Sequence, residues 1–380
     1  MIDYPRHIFT EEHKLFRESV AQFMEREVRP HADRWEDQGH VDRELWNKAG
    51  EQGFLCVTMP PEYGGAGCDF TYSAILIEEQ AKVYASGPGF SLHTDIVAPY
   101  ILHYGSEAQK QKYLPKMASG EMVTAIAMTE PGTGSDLQGV KTTAIREGDH
   151  YILNGSKTFI TNGYLSDLVI VVAKTDASQG AQGISLFLVE SGWEGFSKNK
   201  PLKKLGMKAQ DTCELFFDNV KVPAENLLGQ EGAGFFYLMQ ELPQERLLIA
   251  IVAIAAAEIA IADTVRYTRE RKAFGKDIFA FQNTRFKLAE MQADTLAQRV
   301  FVDRCIELLV QGKLDVPTAA AIKLTASEVQ CRVMDECLQL HGGYGYIWDY
   351  PIARAYADSR VQKIYGGTNE IMKELISRVL

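Results

Sequence analysis

The runs Leu168-Val169-Ile170-Val171-Val172-Ala173 and Ile184-Ser185-Leu186-Phe187-Leu188-Val189 sit near the middle of a 380-residue chain. Each is short, mostly apolar and bounded by turn-forming residues, which reads as strand. Tyr151-Ile152-Leu153 and Leu215-Phe216-Phe217 read the same way, and Asn154-Gly155 and Asn162-Gly163 are turn signals. No helical pattern separates these strands, so antiparallel pairing into a small barrel or sandwich is expected. The flanks differ. Upstream, helical periodicity covers 10–28, with Thr10 as N-cap and Leu15, Phe16, Val20, Phe23 and Met24 on one face. It recurs at 42–53, 71–86 and 107–118. Downstream, long helical patterns cover 233–269, 282–311, 316–340 and 367–378, with breaks as short as Gln311-Gly312-Lys313. The chain therefore reads as an α+β protein in three parts: a helical domain at 1–120, a central antiparallel β-barrel domain at 121–225, and a helical bundle at 226–380.

The composition narrows the function. A net charge of −10 argues against a nucleic-acid surface. None of the six cysteines forms a CxxC pair, so reduced core thiols are expected. Cys337 and His341 share a helical face, but no second ligand pair lies near them, and no metal site is expected. The most apolar stretch, Leu247 to Ala262, is interrupted by Glu258 and flanked by Glu245, Arg246 and Asp263. It reads as too short and too charged for a membrane span, and as a buried bundle helix. The opening Met1-Ile2-Asp3-Tyr4-Pro5 shows no charged leader followed by an apolar run. With no βαβ alternation and no GxGxxG, a nicotinamide-binding Rossmann domain is disfavoured.

Several motifs carry chemistry. Ala127-Met128-Thr129-Glu130-Pro131-Gly132-Thr133-Gly134-Ser135-Asp136 is a Gly-rich, hydroxyl-rich turn whose backbone N–H groups can meet carbonyl or phosphate oxygens. Phe159-Ile160-Thr161-Asn162-Gly163 places an aromatic ring at a strand end. Arg271-Lys272-Ala273-Phe274-Gly275-Lys276, followed by Gln282, offers a guanidinium fork suited to phosphate. Gln339-Leu340-His341-Gly342-Gly343-Tyr344 supplies glycines that permit close backbone approach, with His341 as a helix-end contact rather than a catalytic base. The tail reads Ile364-Tyr365-Gly366-Gly367-Thr368-Asn369-Glu370. Taken singly, each is an ordinary loop or edge strand; their order and spacing are specific.

Together these motifs resemble the acyl-CoA dehydrogenase family over the whole chain. The resemblance implies an FAD enzyme. Met128, Thr129, Gly134 and Ser135 would lie along the flavin, with Ser135 also reaching the CoA. Phe159 would stack on the ring beside Ile160, with Thr161 near flavin N5. Arg271, Phe274 and Gln282 would grip the ADP half across a subunit interface. Gln339, Leu340, His341, Gly342, Gly343, Thr368, Asn369 and Glu370 would complete the cofactor contacts.

One departure from the family pattern is informative. In many members the residue after the tail Tyr is the catalytic Glu, and here it is Gly366. Glu245, in Leu242-Pro243-Gln244-Glu245-Arg246-Leu247, is the candidate base. Glu on this helix with Gly in the tail resembles the long-chain and isovaleryl branches, and both strings look most like the long-chain enzymes. Gly366 would keep its backbone N–H for the thioester carbonyl. Phe236, Pro243, Gln244, Arg246, Gly366 and Gly367 are the expected substrate contacts, with Ser91 to Tyr100 as a pocket wall. Glu241, Glu130 and Asp136 are competing carboxylates, read as salt-bridge or capping residues.

The expectation is therefore dehydrogenation of a long-chain acyl-CoA to trans-2-enoyl-CoA in β-oxidation. Electrons would pass to an electron-transfer flavoprotein, from a homotetramer built as a dimer of dimers, in a bacterial cytoplasm or, as a mature form, a mitochondrial matrix. A branched-chain specialist, a flavin oxidase and a non-catalytic acyl-CoA or flavin scaffold are the alternatives.

Overall fold

In a computed structural model, which describes residue 2 and residues 4–380, the chain folds as helices, then a sheet, then helices. Met1 and Asp3 of the opening segment lie outside the described residues. The first part contains α1 (Glu11–Phe23), α2 (Ala32–Gln38), α3 (Arg43–Glu51), α4 (Phe70–Lys82), α5 (Ala98–Tyr104) and α6 (Glu107–Ala118). Thr10 is the N-cap of α1, and its N–H donates to His13 Nδ1 at 3.0 Å. Four of the five residues expected on the buried face of this helix do turn inward. Leu15 is the exception and is exposed, so the apolar stripe is narrower than the periodicity suggested.

The sheet comprises β1 (Thr124–Ala127), β2 (Thr143–Glu147), β3 (His150–Thr161), β4 (Leu168–Lys174), β5 (Ile184–Glu190), β6 (Phe196–Lys198), β7 (Thr212–Pro223) and β8 (Leu227–Leu228). Its order is β6-β7-β3-β2-β4-β5-β8, with β1 branching onto β4. Most pairs are antiparallel, but β1 and β2 both meet β4 in parallel, so the sheet is mixed rather than wholly antiparallel. The path has two ends, and no pairing between β6 and β8 is recorded among the described residues. Strand β4 explains its own sequence. Leu168, Ile170 and Val172 face a core shared with the first helical part, whereas Val169, Val171 and Ala173 face the core on the other side of the sheet. A strand buried on both faces reads as continuously apolar.

Asn154-Gly155 does not form the expected turn. Strand β3 runs straight through it with a register shift against β7, because the Asn154 side chain bonds Asn219 on the opposing strand: Oδ1 accepts from Asn219 N–H at 2.8 Å. A Cβ at Gly155 would overlap Thr142, so the glycine serves close packing. Asn162-Gly163 is a turn, with Asn162 at φ +60°.

The last part holds α7 (Gly234–Glu270), α8 (Gln282–Val310), α9 (Val316–His341), α10 (Pro351–Ser359) and α11 (Asn369–Ser377). By length and composition α7 could cross a membrane, with a mean hydropathy of 2.2 over its most apolar 18 residues. The reading of this stretch as too short and too charged is corrected, since the helix extends well beyond 247–262. Its Leu247, Ile251, Ile254 and Ile261 are nonetheless buried against α4, α8 and α9 in the largest core of the molecule. Four of the six cysteines, Cys56, Cys213, Cys305 and Cys337, are buried and all six are free.

Candidate functional site

The 127–136 and 159–163 motifs meet on one edge of the sheet. Thr158 N–H donates to Thr129 O at 2.9 Å, and the fully buried Lys157 donates from Nζ to Met128 O at 3.1 Å and to Glu130 Oε1 at 2.9 Å. Glu130 also accepts the Lys141 and Thr142 N–H groups, so it is a fastening residue, as its ranking among the carboxylates implied. The register of β3 against β7 shifts between Lys157 and Ile160, and at this bulge Phe159 is held at φ +60° with its ring 66% exposed. An aromatic residue in the left-handed region and facing outward is strained and unpacked, as functional positions commonly are. Thr161 and Ile160 continue the strand beside it. Thr133 Oγ1 donates to Gly139 O and closes the loop, leaving Gly134 and Ser135 at its rim, where a Cβ on Gly134 would meet nothing within 4 Å.

The third and fourth motifs meet in a cleft of about 850 Å³ at the end of the bundle. Arg271, Gln339, Leu340, His341, Gly342 and Gly343 line it, together with Tyr344 of the same motif and Tyr267, which the sequence reading had not singled out. Arg271 lies 5.5 Å over the Tyr344 ring. His341 stacks on Tyr267 at 4.2 Å and donates from Nδ1 to Cys337 O at 2.8 Å, so it is a structured wall. A Cβ at Gly342 or Gly343 would meet no atom of this chain within 4 Å, so these glycines leave space open rather than fill a packed turn. Phe274 and Gln282 are not among the lining residues. Phe274 sits at φ +53° in the hairpin between Lys272–Ala273 and Lys276–Asp277, 94% exposed. Gln282 opens α8. No group of three or more metal-ligating side chains occurs among the described residues.

The remaining candidates cluster where α7 crosses α5 and the tail loop. Glu245 is buried, and its Oε1 accepts from the Tyr100 hydroxyl at 3.0 Å. Burial pushes its carboxyl up to about 7. The neighbouring Glu241 charge adds to this, while the Tyr100 bond and Arg246 oppose it. Glu241 lies one turn earlier and is held by His103 Nδ1 at 2.8 Å and by the Tyr104 hydroxyl at 2.9 Å. Gln244 Nε2 is occupied by Asp95 O at 2.6 Å, which ties the 91–100 segment to α7. Pro243 is buried within α7. Phe236 is distant from this cluster along the helix; it is exposed, and its ring contact is with Tyr237.

Gly366 and Gly367 adopt φ +64° and +91°. A Cβ on Gly366 would overlap Ile249 Cδ1, one turn beyond Glu245, so the glycine and the acid share one helix face. Arg246 Nε donates to Gly366 O at 3.4 Å. Thr368 caps α11. Asn369 is buried, with its amide directed to Ser327 and Glu328 and its Oδ1 to Lys323, whereas Glu370 is exposed. Lys157 and Lys323 escaped the sequence reading, and Tyr100 entered it only as the end of the 91–100 pocket wall, without its bond to Glu245. Tyr and Lys inside apolar helical or strand patterns carry no local mark of their long-range partners.

The cleft and the Phe159 edge together test the chain against FAD. One offers a guanidinium, open glycine backbone and aromatic walls, which suits a diphosphate and adenine; the other offers an exposed ring and loop N–H groups, which suits a flat heterocycle. The donor set fits the cofactor.

Comparison with known proteins gives a consistent picture. Three family models match: "Acyl-CoA dehydrogenase, N-terminal domain" at residues 10–121, "middle domain" at 125–220 and "C-terminal domain" at 232–380. The chain is 57% identical over 375 residues to the long-chain specific acyl-CoA dehydrogenase, mitochondrial, of Rattus norvegicus, covering 98% of this chain and 87% of that protein. An acyl-CoA dehydrogenase from Geobacillus kaustophilus superposes with a TM-score of 0.97 at 50% identity, covering 99% of each chain. A glutaryl-CoA dehydrogenase from Mycobacterium smegmatis in complex with FADH2 superposes at 0.90 with 28% identity, covering 98% of this chain and 95% of that one. The three-part fold, the paired half-sites and these matches over nearly the whole length make this chain a member of the acyl-CoA dehydrogenase family.

Proposed function

We propose that the chain catalyses FAD-dependent α,β-dehydrogenation of a long-chain acyl-CoA to the trans-2-enoyl-CoA, with Glu245 as the α-proton base. The observation that carries this is the buried Glu245 carboxyl on the same helix face that meets Gly366. When bound, FAD supplies the acceptor for the β-hydride. Glu245 takes the α-proton. Its elevated proton affinity matches it to an acidified C–H, and burial keeps water from competing. Tyr100 orients the carboxyl by its hydrogen bond. The Gly366 N–H donates to no acceptor within the described residues and is free for the thioester oxygen, where negative charge develops as the proton leaves. Arg246 holds the carbonyl of the same glycine. Met128, Thr129, Gly134, Ser135, Phe159, Ile160 and Thr161 would hold the flavin end of FAD. Arg271, Phe274, Gln282 and the 339–343 segment would hold its ADP end.

The exposed Phe274 and the two separate half-sites favour an assembly in which a second copy completes each cofactor site, hence a dimer or a dimer of dimers. The same reading takes the three domains as 1–120, 121–225 and 226–380, the middle one curling toward a barrel. It also takes an electron-transfer flavoprotein as acceptor, in a bacterial cytoplasm or a mitochondrial matrix. The test is flavin bleaching of the purified holoenzyme by acyl-CoAs of increasing length and branching. Bleaching fastest with long straight chains supports the proposal. A maximum at short or branched chains moves it to another substrate class, and a protein that never bleaches is a binding scaffold.

A further inference from the structure

Lys323 lies in α9, fully buried, and forms no direct ion pair among the described residues, with the Glu370 and Glu328 carboxylates acting on it only from a distance. Its Nζ donates to Gly367 O at 2.8 Å and to Asn369 Oδ1 at 2.9 Å. The preceding carbonyl of the same loop, Gly366 O, accepts from Arg246, which is also buried and forms no direct ion pair among the described residues, the Glu245 carboxyl being the acid that acts on it. Two cations thus hold two consecutive peptide oxygens without a directly bonded carboxylate, an arrangement that further negative charge beside the loop would stabilise.

Peptide geometry says where that charge would sit. In a planar trans peptide the C=O and N–H point to opposite sides. Anchoring Gly366 O and Gly367 O on the Arg246 and Lys323 side therefore turns the Gly367 and Thr368 N–H groups away from it. Those two N–H groups, and that of Gly366, donate to nothing within the described residues. Successive free N–H groups around left-handed glycines form a concavity for an anionic oxygen.

We infer that Lys323 is a positioning residue for the reaction: by gripping Gly367 O and Asn369 it fixes the N–H face of the tail loop toward the thioester, and its positive charge, added to that of Arg246, favours negative charge on the thioester oxygen. This rests on the reading of Glu245 as the base. The charged and titratable groups facing the ammonium are Arg246 from α7, Glu370 from α11, and Glu328 and Cys331 from its own helix. Burial first, then Arg246, bring the ammonium down to about 8, so it loses its charge within an accessible pH range.

The experiment compares wild type, Lys323→Met and Glu245→Gln as holoenzymes. Single-turnover flavin reduction by a long-chain acyl-CoA is followed from about pH 6 to about pH 10, with amide hydrogen exchange at 364–370 and bound-FAD content measured in parallel. In wild type the rate falls along an alkaline limb centred near pH 8. Lys323→Met retains FAD, slows reduction roughly 10- to 100-fold with little change in acyl-CoA affinity, and lacks that limb. The amides of Gly366 to Thr368 exchange faster in the variant, and in wild type above the limb after correction for intrinsic exchange. A variant with wild-type rate and pH profile overturns the inference, and so does a defect confined to FAD retention. Absence of the alkaline limb in wild type overturns it without any variant having to fold. An active Glu245→Gln would sink the base assignment instead, leaving a slow Lys323→Met still attributable to the loop.

Discussion

Glu245 and Gly366 divide one task between a side chain and a backbone group. The carboxyl titrates in the folded protein at about 7, against an ordinary 4.5. The rate of flavin reduction should therefore rise with pH along an acid limb near 7, and Glu245→Gln should remove the limb together with roughly 10²- to 10⁴-fold of the rate. The same shift acts on stability. Because the folded carboxyl binds its proton more tightly than the unfolded one, its favourable contribution is complete below about pH 4.5 and is lost as pH rises through 7. At pH 8 the ionised group is a burden of at most about 3 kcal/mol. Urea unfolding should accordingly find Glu245→Gln more stable than wild type at pH 8, with the gap closing by pH 5; equal stability at both would contradict the buried-carboxyl account. Gly366→Ala meets two obstacles, a φ of +64° and the Ile249 side chain, and should cost about 1–3 kcal/mol in the same assay along with activity.

At the scale of elements, the bulge of β3 and the 127–136 loop are held together by the buried Lys157–Glu130 pair at 2.9 Å. Breaking such a pair by removing one partner leaves a buried charge, at about 3–5 kcal/mol. Lys157→Met should thus lower the urea midpoint and release flavin, readable as loss of absorbance in the retained protein after gel filtration. Retention of full flavin would show that the loop holds its shape without this fastening. The helix α7 illustrates a second element-scale point. Its register carries Tyr237, Glu241 and Glu245 on successive turns. Tyr104 stacks on the first at 3.9 Å and donates to the second, and Tyr100 donates to the third. The base is positioned by a helix pair rather than by a loop, which limits its wandering.

Across the whole molecule, Arg6 near the start of the chain, Glu78 of α4, Arg299 of α8 and Glu258 of α7 form a network, buried at Glu78 and Arg299, that joins the first helical part to the bundle. Burial pushes the Glu78 carboxyl up, but Arg299 and Arg6 outweigh it and hold it well below the usual carboxylate range. Its contribution is therefore present above about pH 4.5 and is lost as the pH falls, so the network should govern acid unfolding. Glu78→Gln should lower stability by about 3–5 kcal/mol near neutral pH, and the deficit against wild type should shrink in acid melts. A constant deficit across pH would argue for a packing defect instead of a lost charge.

How much was legible varied with the range of the interaction involved. The order of helices and strands was readable because periodicity is local, and the motifs were readable because loop chemistry is written in adjacent residues. Leu15, apparently on the buried face, and Asn154-Gly155, apparently a turn, were misread because partners far along the chain decide them: the Asn219 amide holds Asn154 in a bulge, and packing leaves Leu15 in solvent. The parallel contacts of β1 and β2 with β4 have no sequence mark, since local pattern does not encode which strands meet. The sequence by itself therefore determined the three-part layout, the family, and the exchange of an acid at 245 for a glycine at 366. Only the tertiary structure decided that Tyr100 meets the acid, that Ile249 fills the space a side chain at 366 would need, and that Lys323 and Arg246 grip the loop between them. Those contacts join residues roughly 40 to 150 positions apart, and their consequences, a raised carboxyl and a lowered ammonium, arise from desolvation, which acts only once the chain has closed around them.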